Sequence, residues 1–338
     1  MQSQVETNKR FSAANIKALL RDNIIIVGII LISLAVGIAR PNFFSIGNIR
    51  NLISNTAVRF IIAVGVSGCL ITKGTDLSAG RMAGFAACLS AIFLQKGDYA
   101  DKFYPNIGEL PIVVVLLGVL GLCAIIGAMN GTIISVFKVP PFIATLGMQT
   151  LVYGVCLVYT GAMPIGGLRR DYTQLATGYV GNRMFTYVFL IALAVGIFMW
   201  FLYNKTRHGK YMYAIGGNEN AAEVAGVNCT KTKILIYMLA GILYGLCGFL
   251  MAAKSGGASV NTAQGYELEA IAGCTIGGVS VNGGVGKISG ILIGVLVFEL
   301  LKIAMQFMGI ETSYTYIVQG LVIIIAVALD LRKYLVKK

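Results

Sequence analysis

Residues 57–94 read AVRFIIAVGVSGCLITKGTDLSAGRMAGFAACLSAIFL, and this stretch decides the fold. Two apolar runs, Ala57 to Thr72 and Met82 to Leu94, flank the polar, glycine-rich segment 73–81. Each run is shorter than an ordinary membrane-spanning helix, which needs about 20 residues. A break at membrane depth is tolerated only where its backbone groups face protein or a wet cavity. The stretch therefore predicts broken membrane helices that border a path through the protein.

The composition indicates a membrane protein along the whole chain. Of the 338 residues, 57% are hydrophobic and 12% are charged, and the mean hydropathy is +0.80. A soluble domain contains roughly 25% charged residues, so a water-soluble fold is excluded. The net charge is +13, but the basic residues flank apolar runs and form no stripe interleaved with aromatic residues. Nucleic acid is therefore not an expected partner.

Apolar runs predict an all-α polytopic membrane protein with about ten transmembrane helices, some of them broken, in a single domain over residues 23–330. The predicted spans are Asn23 to Ala39, Ala57 to Thr72, Met82 to Leu94, Ile112 to Val136, Phe142 to Thr160, Phe185 to Tyr203, Ile234 to Ala253, Leu268 to Val281, Ile288 to Phe307 and Tyr314 to Leu329. A segment 1–22 precedes them and a tail 331–338 follows. Lysine and arginine are nearly twice as numerous on the side of the two termini, which predicts that both termini are cytoplasmic.

A second glycine-rich segment, 277–287, reads GGVSVNGGVGK and follows the eighth apolar run. It interrupts a helix as segment 73–81 does, and it is expected to border the same path. Its Gly-Lys ending is not a nucleotide-binding loop, because Val281 replaces the first glycine of that motif and Ile288 replaces the serine or threonine. The candidates for the translocation path are Thr75, Asp76, Leu77, Ser78, Gly80, Ser280, Asn282, Gly283 and Gly284.

The loop 204–233 contains the sequence AIGGNENAAEVAGVN at positions 214–228. Asn218 is a good N-cap, Glu219 complements the positive end of a helix, and Gly226 is placed to terminate it. This pattern predicts a short helix of two turns outside the membrane. Its chemistry leaves two interpretations open, an ordinary capped loop helix or a helix held in the groove of another protein.

Charged residues in or beside the predicted spans have several possible roles. Glu299 and Lys302 are three residues apart on one span and are predicted to pair with each other. Asp76 either caps the following helix or accepts a hydrogen bond from a passing hydroxyl. Glu267 and Glu269 lie at the outer end of the eighth span, where they face either a partner protein or solvent.

No catalytic residue and no metal site are predicted. The seven cysteines form no CxxC pair, and all except Cys229 lie in apolar runs, where cysteine acts as a small hydrophobic residue. His208 is the only histidine, so any histidine-based metal site or catalytic triad would have to include this one residue. The chain is expected to bind no cofactor itself.

Three motifs, in this order, resemble those of a known family. Residues 74–80, GTDLSAG, are similar to the Gly-x-Asp-Leu-Ser-x-Gly signature of the ribose/galactose-type permeases of ATP-binding-cassette (ABC) importers. Residues 216–227 resemble the cytoplasmic coupling loop of those permeases, although Asn220 stands where a stronger helix former is expected. Residues 277–286 resemble their late glycine-rich signature. The likeness covers nearly the whole chain and is strongest to the galactose/methyl-galactoside branch, which also shares residues 326–330, AVALD.

The resemblance implies a permease subunit of a bacterial inner membrane, which translocates a monosaccharide delivered by a periplasmic binding protein. It also implies a homodimer with one pore and two cytoplasmic ATPase subunits, which bind the ATP and magnesium. The alternative is a proton- or sodium-coupled secondary carrier, which also uses broken helices and for which Asp76 and Glu269 are candidate titratable groups. Under the ABC-permease resemblance, the residues of the ATPase coupling contact are Gly216, Gly217, Asn218, Glu219, Ala221, Ala222, Ala225 and Gly226.

Overall fold

The computed structural model describes residues 24–181 and 185–335. Within these residues the chain is helical except for loops and one short hairpin. The elements are α1 Ile24–Ala39, α2 Ile46–Ile71, α3 Ala79–Phe93, α4 Ile112–Ser135, α5 Pro141–Thr160, α6 Arg170–Thr177, β1 Tyr179–Val180, β2 Phe185–Thr186, α7 Tyr187–Lys205, α8 Arg207–Gly217, α9 Glu219–Val224, α10 Cys229–Ser255, α11 Tyr266–Ile276, α12 Ile288–Phe307 and α13 Thr312–Leu335. The predicted segment 1–22 lies outside the described residues, as do residues 336–338 of the predicted tail.

Each predicted span coincides with a helix, and the prediction of an all-α polytopic membrane protein is confirmed. Among the described residues, seven helices are long and apolar enough to cross a membrane. The other three predicted spans correspond to α1, α3 and α11, which have 16, 15 and 11 residues. Helices α3 and α11, which both begin and end inside the described residues, are too short to cross a membrane unaided, because a helix rises only about 1.5 Å per residue.

The structure contains helices that hydropathy alone does not predict. Helix α2 begins at Ile46, well before the predicted start at Ala57, because the side chain of Ser45 caps it by accepting a hydrogen bond from the Asn48 amide at 3.3 Å. Helix α8 begins after Thr206, whose hydroxyl accepts from the Gly209 amide at 3.3 Å. Both regions are too polar for an apolar-run search, and their caps are the signals in the sequence.

Helix α10 lies at the centre of the bundle and packs against α2, α3, α4 and α6. Its contact with α4 is unusually close, because Gly127 of α4 meets the carbonyl of Tyr237 and Gly131 meets the backbone of Ile234. A Cβ on either glycine would overlap the backbone of α10. Small residues four positions apart allow two helix backbones to approach this closely.

Two short helices, α3 and α11, begin inside the bundle. Near the start of α3, the carbonyl of Ala83 packs directly against Gly248, and the adjacent Cys247 donates a hydrogen bond to the carbonyl of Val58, midway along α2, at 3.6 Å. Near the start of α11, Glu269 lies 2.9 Å from Arg59, the residue after Val58. Helices α3 and α11 therefore both begin near the middle of α2. The non-helical segments 72–78 and 256–265 lead to these two starting points from opposite ends of the bundle. The end that carries α8, α9 and the last turn of α2 is called the α9 end below.

The backbone of segment 72–78 is satisfied by protein groups. The Leu77 amide donates to the hydroxyl of Thr145 on α5 at 3.2 Å, and the Gly74 amide donates to the carbonyl of Cys69 at 2.9 Å. Such partners are what a break at membrane depth requires. They hold the segment in one defined conformation between α2 and α3.

Candidate functional site

Asp76 is the centre of the first break and is 1% exposed. One carboxylate oxygen accepts from the Ser78 amide at 3.0 Å and from the Ser78 hydroxyl at 2.6 Å. The other accepts from the hydroxyl of Tyr244 on α10 at 3.2 Å. Asn130 of α4 donates to the Ser78 hydroxyl at 3.0 Å. Of the two roles considered for Asp76, the contact with hydroxyl groups is present, and the amide from which it accepts is that of Ser78, the residue before α3. These hydrogen bonds tie the start of α3 to α4 and α10.

We predict that Asp76→Asn retains much more transport than Asp76→Leu. An asparagine oxygen can still accept from the Ser78 amide, and its NH₂ group can donate to the Tyr244 oxygen. Leucine would leave buried donors without acceptors, at about 1–3 kcal/mol for each group. Solute uptake at matched membrane abundance measures the difference. An equal and complete loss in both variants would show that the negative charge itself is required.

The second glycine-rich segment lies at the α9 end. The Ser280 hydroxyl and the Val281 amide donate to the carboxylate of Asp330 on α13 at 3.1 Å and 3.2 Å. The Gly284 amide donates to the carbonyl of Ile71, the last residue of α2, at 2.8 Å. Gly283 also packs on Lys73, where a Cβ would lie 2.5 Å from the side chain.

The two groups of path candidates therefore do not lie side by side. Residues 75–80 extend inward from the α9 end to the start of α3, whereas residues 280–284 cover the end of α2. Most of the candidates are covered by the chain itself in this conformation. The buried ones are Asp76, Ser78, Gly80, Ser280 and Gly283, and the half-buried ones are Thr75, Leu77, Asn282 and Gly284.

Helix α9 forms where the sequence pattern predicts it. The side chain of Asn218 accepts from the Ala221 amide at 3.0 Å, which is the expected N-cap. Gly226 has φ +85° and its amide donates to the Glu223 carbonyl, while the Val227 amide donates to the Ala222 carbonyl at 3.0 Å. This pair of hydrogen bonds is the Schellman termination, which requires a left-handed residue such as glycine.

The orientation of α9 differs from the expected one at Ala222. Ala222 is 5% exposed and packs against Ile215 and Cys229 of its own chain, so the expectation that it faces a partner is wrong. The exposed small or apolar side chains here are those of Ala221, Val224 and Ala225, and the polar residues Asn220 and Glu223 are exposed as well. Val224 is 90% exposed.

The predicted coupling residues at the start of α9 also separate into two groups, of which one is on the surface and the other is buried. Gly217 and Asn218 are exposed, and Glu219 forms an ion pair with Lys233 of α10 at 2.7 Å. Gly216 is buried, and a Cβ there would overlap the carbonyl of Ile71 and crowd Gly284 at 2.5 Å.

Three chain segments meet at this point, and we call the contact the glycine junction. It consists of Ile71 to Lys73 at the end of α2, Gly216 and Gly217 at the end of α8, and Gly283 and Gly284 of the second glycine-rich segment. Lys73 closes it by donating to the Gly217 carbonyl at 3.2 Å. The sequence motifs place Gly216 and Gly217 in the coupling contact and Gly283 and Gly284 on the translocation path. In the structure they meet, so the start of α9 is in contact with the first break, segment 72–78.

A buried ionic cluster lies beside the start of α11. Arg59 of α2 lies 2.9 Å from Glu269 and 3.2 Å from Glu299, and Lys302 lies 2.8 Å from Glu269. Asn55 donates to Glu299 at 2.8 Å. The predicted pair of Glu299 and Lys302 is wrong, because each has a closer partner on another helix. The two interpretations of Glu269, partner contact or solvent, are also wrong, since it is an internal anchor.

Comparisons with known proteins place the chain among transport permeases. The family described as "Branched-chain amino acid transport system / permease component" matches residues 48–327. The galactose/methyl galactoside import permease protein of Haemophilus influenzae is 41% identical over 99% of this chain and 100% of its own length. The corresponding Escherichia coli protein is 43% identical over 92% of this chain and 94% of its length. The ribose import permease protein of Escherichia coli is 33% identical over 98% and 100%.

No solved structure matches this chain. The resemblance carried by the three motifs is confirmed, because galactose and ribose permeases are both among the matches. The chain covers these relatives over more than nine-tenths of their length, so the likeness extends well beyond the motifs. The chain belongs to the family of branched-chain amino acid transport system permease components.

Proposed function

We propose that this chain is the membrane-spanning subunit of an ATP-driven importer for galactose or a methyl galactoside in a bacterial inner membrane. The observation that carries the proposal is the full-length similarity to galactose/methyl galactoside import permeases. A second copy of the chain would complete the pore. Cytoplasmic ATPase subunits would bind the ATP and magnesium, and a periplasmic binding protein would deliver the sugar.

The secondary-carrier alternative is less consistent with the site. Family membership favours a permease component of a larger transport system. The carboxylate of Asp76 is occupied by three hydrogen bonds, and that of Glu269 by two cations. A proton or sodium relay needs a group that can release these partners in each cycle, and such a rearrangement would disturb the packing of α3 and α11.

The exposed face of α9 supports the proposed ATPase contact. Ala221, Val224 and Ala225 are spaced three and four residues apart, so they lie on one side of the helix. They are small or apolar, and the rest of α9 is fixed to the chain through its caps, the Glu219–Lys233 ion pair and the glycine junction. A displacement of this face by an ATPase subunit would therefore be transmitted to the end of α2 and to segment 72–78.

Purification of the chain from its native membrane, with identification of every associated protein, tests the proposal. We expect an ATPase to copurify and uptake of radiolabelled galactose into vesicles to require internal ATP and the binding protein. Uptake that proceeds without ATP and collapses with the proton or sodium gradient would contradict it.

We predict that Lys210 faces the cytoplasm and Asp101 faces the periplasm, because the charge distribution places the α9 end inside. Both residues are exposed, whereas Arg169 is buried beside Asp171 and is less suited to labelling. Lys210→Cys and Asp101→Cys are treated with a membrane-impermeant thiol reagent in intact spheroplasts. Only position 101 should react, and reaction at position 210 from outside would reverse the topology. Lys9 and Lys338, which share the predicted cytoplasmic side, lie outside the described residues.

A further inference from the structure

Arg81, at the start of α3, forms a polar surface with Tyr153 of α5. Its guanidinium carbon lies 4.1 Å from the centre of the Tyr153 ring, a cation–π contact. One of its nitrogens donates to the carbonyl of Val260 at 3.0 Å, in the segment that leads down to α11. Both side chains nevertheless remain partly exposed. Gln149, one turn before Tyr153 on the same face of α5, is also partly exposed.

This polar surface lies at membrane depth. Tyr153 is well inside the twenty-residue helix α5, and Leu151 and Val155 beside it are 54% and 47% exposed apolar side chains suited to lipid. A charged residue in a membrane span almost always faces the bundle interior or a water-filled cavity, because its exposure to hydrocarbon is costly. The exposed part of Arg81 therefore indicates water at this position.

A spare hydrogen-bond acceptor lies directly behind Arg81. Glu267, in the first turn of α11, is 7% exposed, and its Oε2 atom is buried without a hydrogen-bond partner among the described residues. This atom occupies the space that a side chain on Gly80 would fill. The first turns of α3 and α11 thus meet at this carboxylate.

We propose that Arg81, Tyr153 and Glu267 form a contact station for the sugar on its way through the protein. This inference rests on the proposed function. A monosaccharide presents an apolar C–H face, which packs on an aromatic ring, and hydroxyl groups, which accept from a guanidinium and donate to a carboxylate. One partly exposed ring and a few hydrogen bonds give weak binding, which suits a permease that must release its cargo. None of the three residues belongs to the path candidates that the glycine-rich segments predict.

Thiol labelling tests whether water reaches the station, and it does not depend on the energy source. The cysteines in the described part of the chain are all buried, so the background is low. Tyr153→Cys and Val155→Cys are compared in membrane vesicles with a cationic, membrane-impermeant methanethiosulfonate. We expect position 153 to react about tenfold faster or more, because the reactive thiolate forms only in contact with water. Equal rates at the two positions would overturn the proposal.

Transport by the assembled complex tests the contact with sugar. Tyr153→Ala and Glu267→Gln should reduce the galactose uptake per ATP hydrolysed, and Tyr153→Phe, which keeps the ring, should reduce it less than Tyr153→Ala does. ATP hydrolysis stimulated by the loaded binding protein should persist in all three, which separates the station from assembly and from the ATPase contact. Normal uptake in both Tyr153→Ala and Glu267→Gln would overturn the proposal. So would a parallel loss of abundance and hydrolysis in both variants, as that would show a purely structural role.

Discussion

Replacement of Glu269 by leucine is expected to destabilise the chain by about 3–5 kcal/mol, the range found when one partner of a buried ion pair is removed. Glu269 neutralises Lys302 at 2.8 Å and shares Arg59 with Glu299. Without it, Lys302 loses its carboxylate partner in an apolar environment. Thermal unfolding of the detergent-solubilised protein measures the effect, together with its abundance in the membrane.

A second replacement provides the control for this effect. In the double variant Glu269→Leu/Lys302→Leu the unpaired cation is absent, and Arg59 keeps Glu299, so much of the lost stability should return. Glu311→Gln, which changes an exposed carboxylate in the loop before α13, should leave the unfolding temperature nearly unchanged. If Glu269→Leu is as stable as the unmodified chain, the cluster does not anchor α11.

Replacement of Val224 by arginine is expected to reduce ATPase association by about tenfold or more, since removal of a central interface residue often costs about 2 kcal/mol and 1.4 kcal/mol is tenfold. Val224 is the most exposed apolar side chain of α9, and a long cation there would prevent close packing. The fold should remain intact, because the side chain is 90% exposed in the isolated chain. Copurification of the ATPase and galactose uptake are measured at equal membrane abundance.

Val180→Arg is the matched control, because Val180 is also an exposed valine, 41% exposed, but lies in the hairpin away from α9. It should leave ATPase copurification unchanged. Ala222→Arg is a poorer probe, because Ala222 is buried against Ile215 and the change would disrupt the packing of α9 itself. Normal copurification and uptake in Val224→Arg would show that α9 is only a connecting helix.

The sequence by itself determined the membrane helices, the helix α9 and the family. Long apolar runs specify membrane helices because the bilayer thickness fixes their length, and each predicted span coincides with a helix. Capping is equally local, so Asn218 and Gly226 predict both ends of α9. The motifs around Asp76 and Gly283 identified the family before any contact was known.

The tertiary structure decided which side chains meet. Ala222 and Val224 are both apolar residues of one short helix, and only the packing of α9 on Ile215 turns the first inward and the second outward. Glu299 and Lys302 are neighbours in sequence, yet the approach of Arg59 and Glu269 from two other helices gives each a better partner. Local sequence carries helix period and caps, but it does not carry the distance between residues more than two hundred positions apart. Which of these distant residues meet depends on how α4 packs on α10 through their glycines and on where the short helices α3 and α11 lie. Such packing is a property of the whole chain.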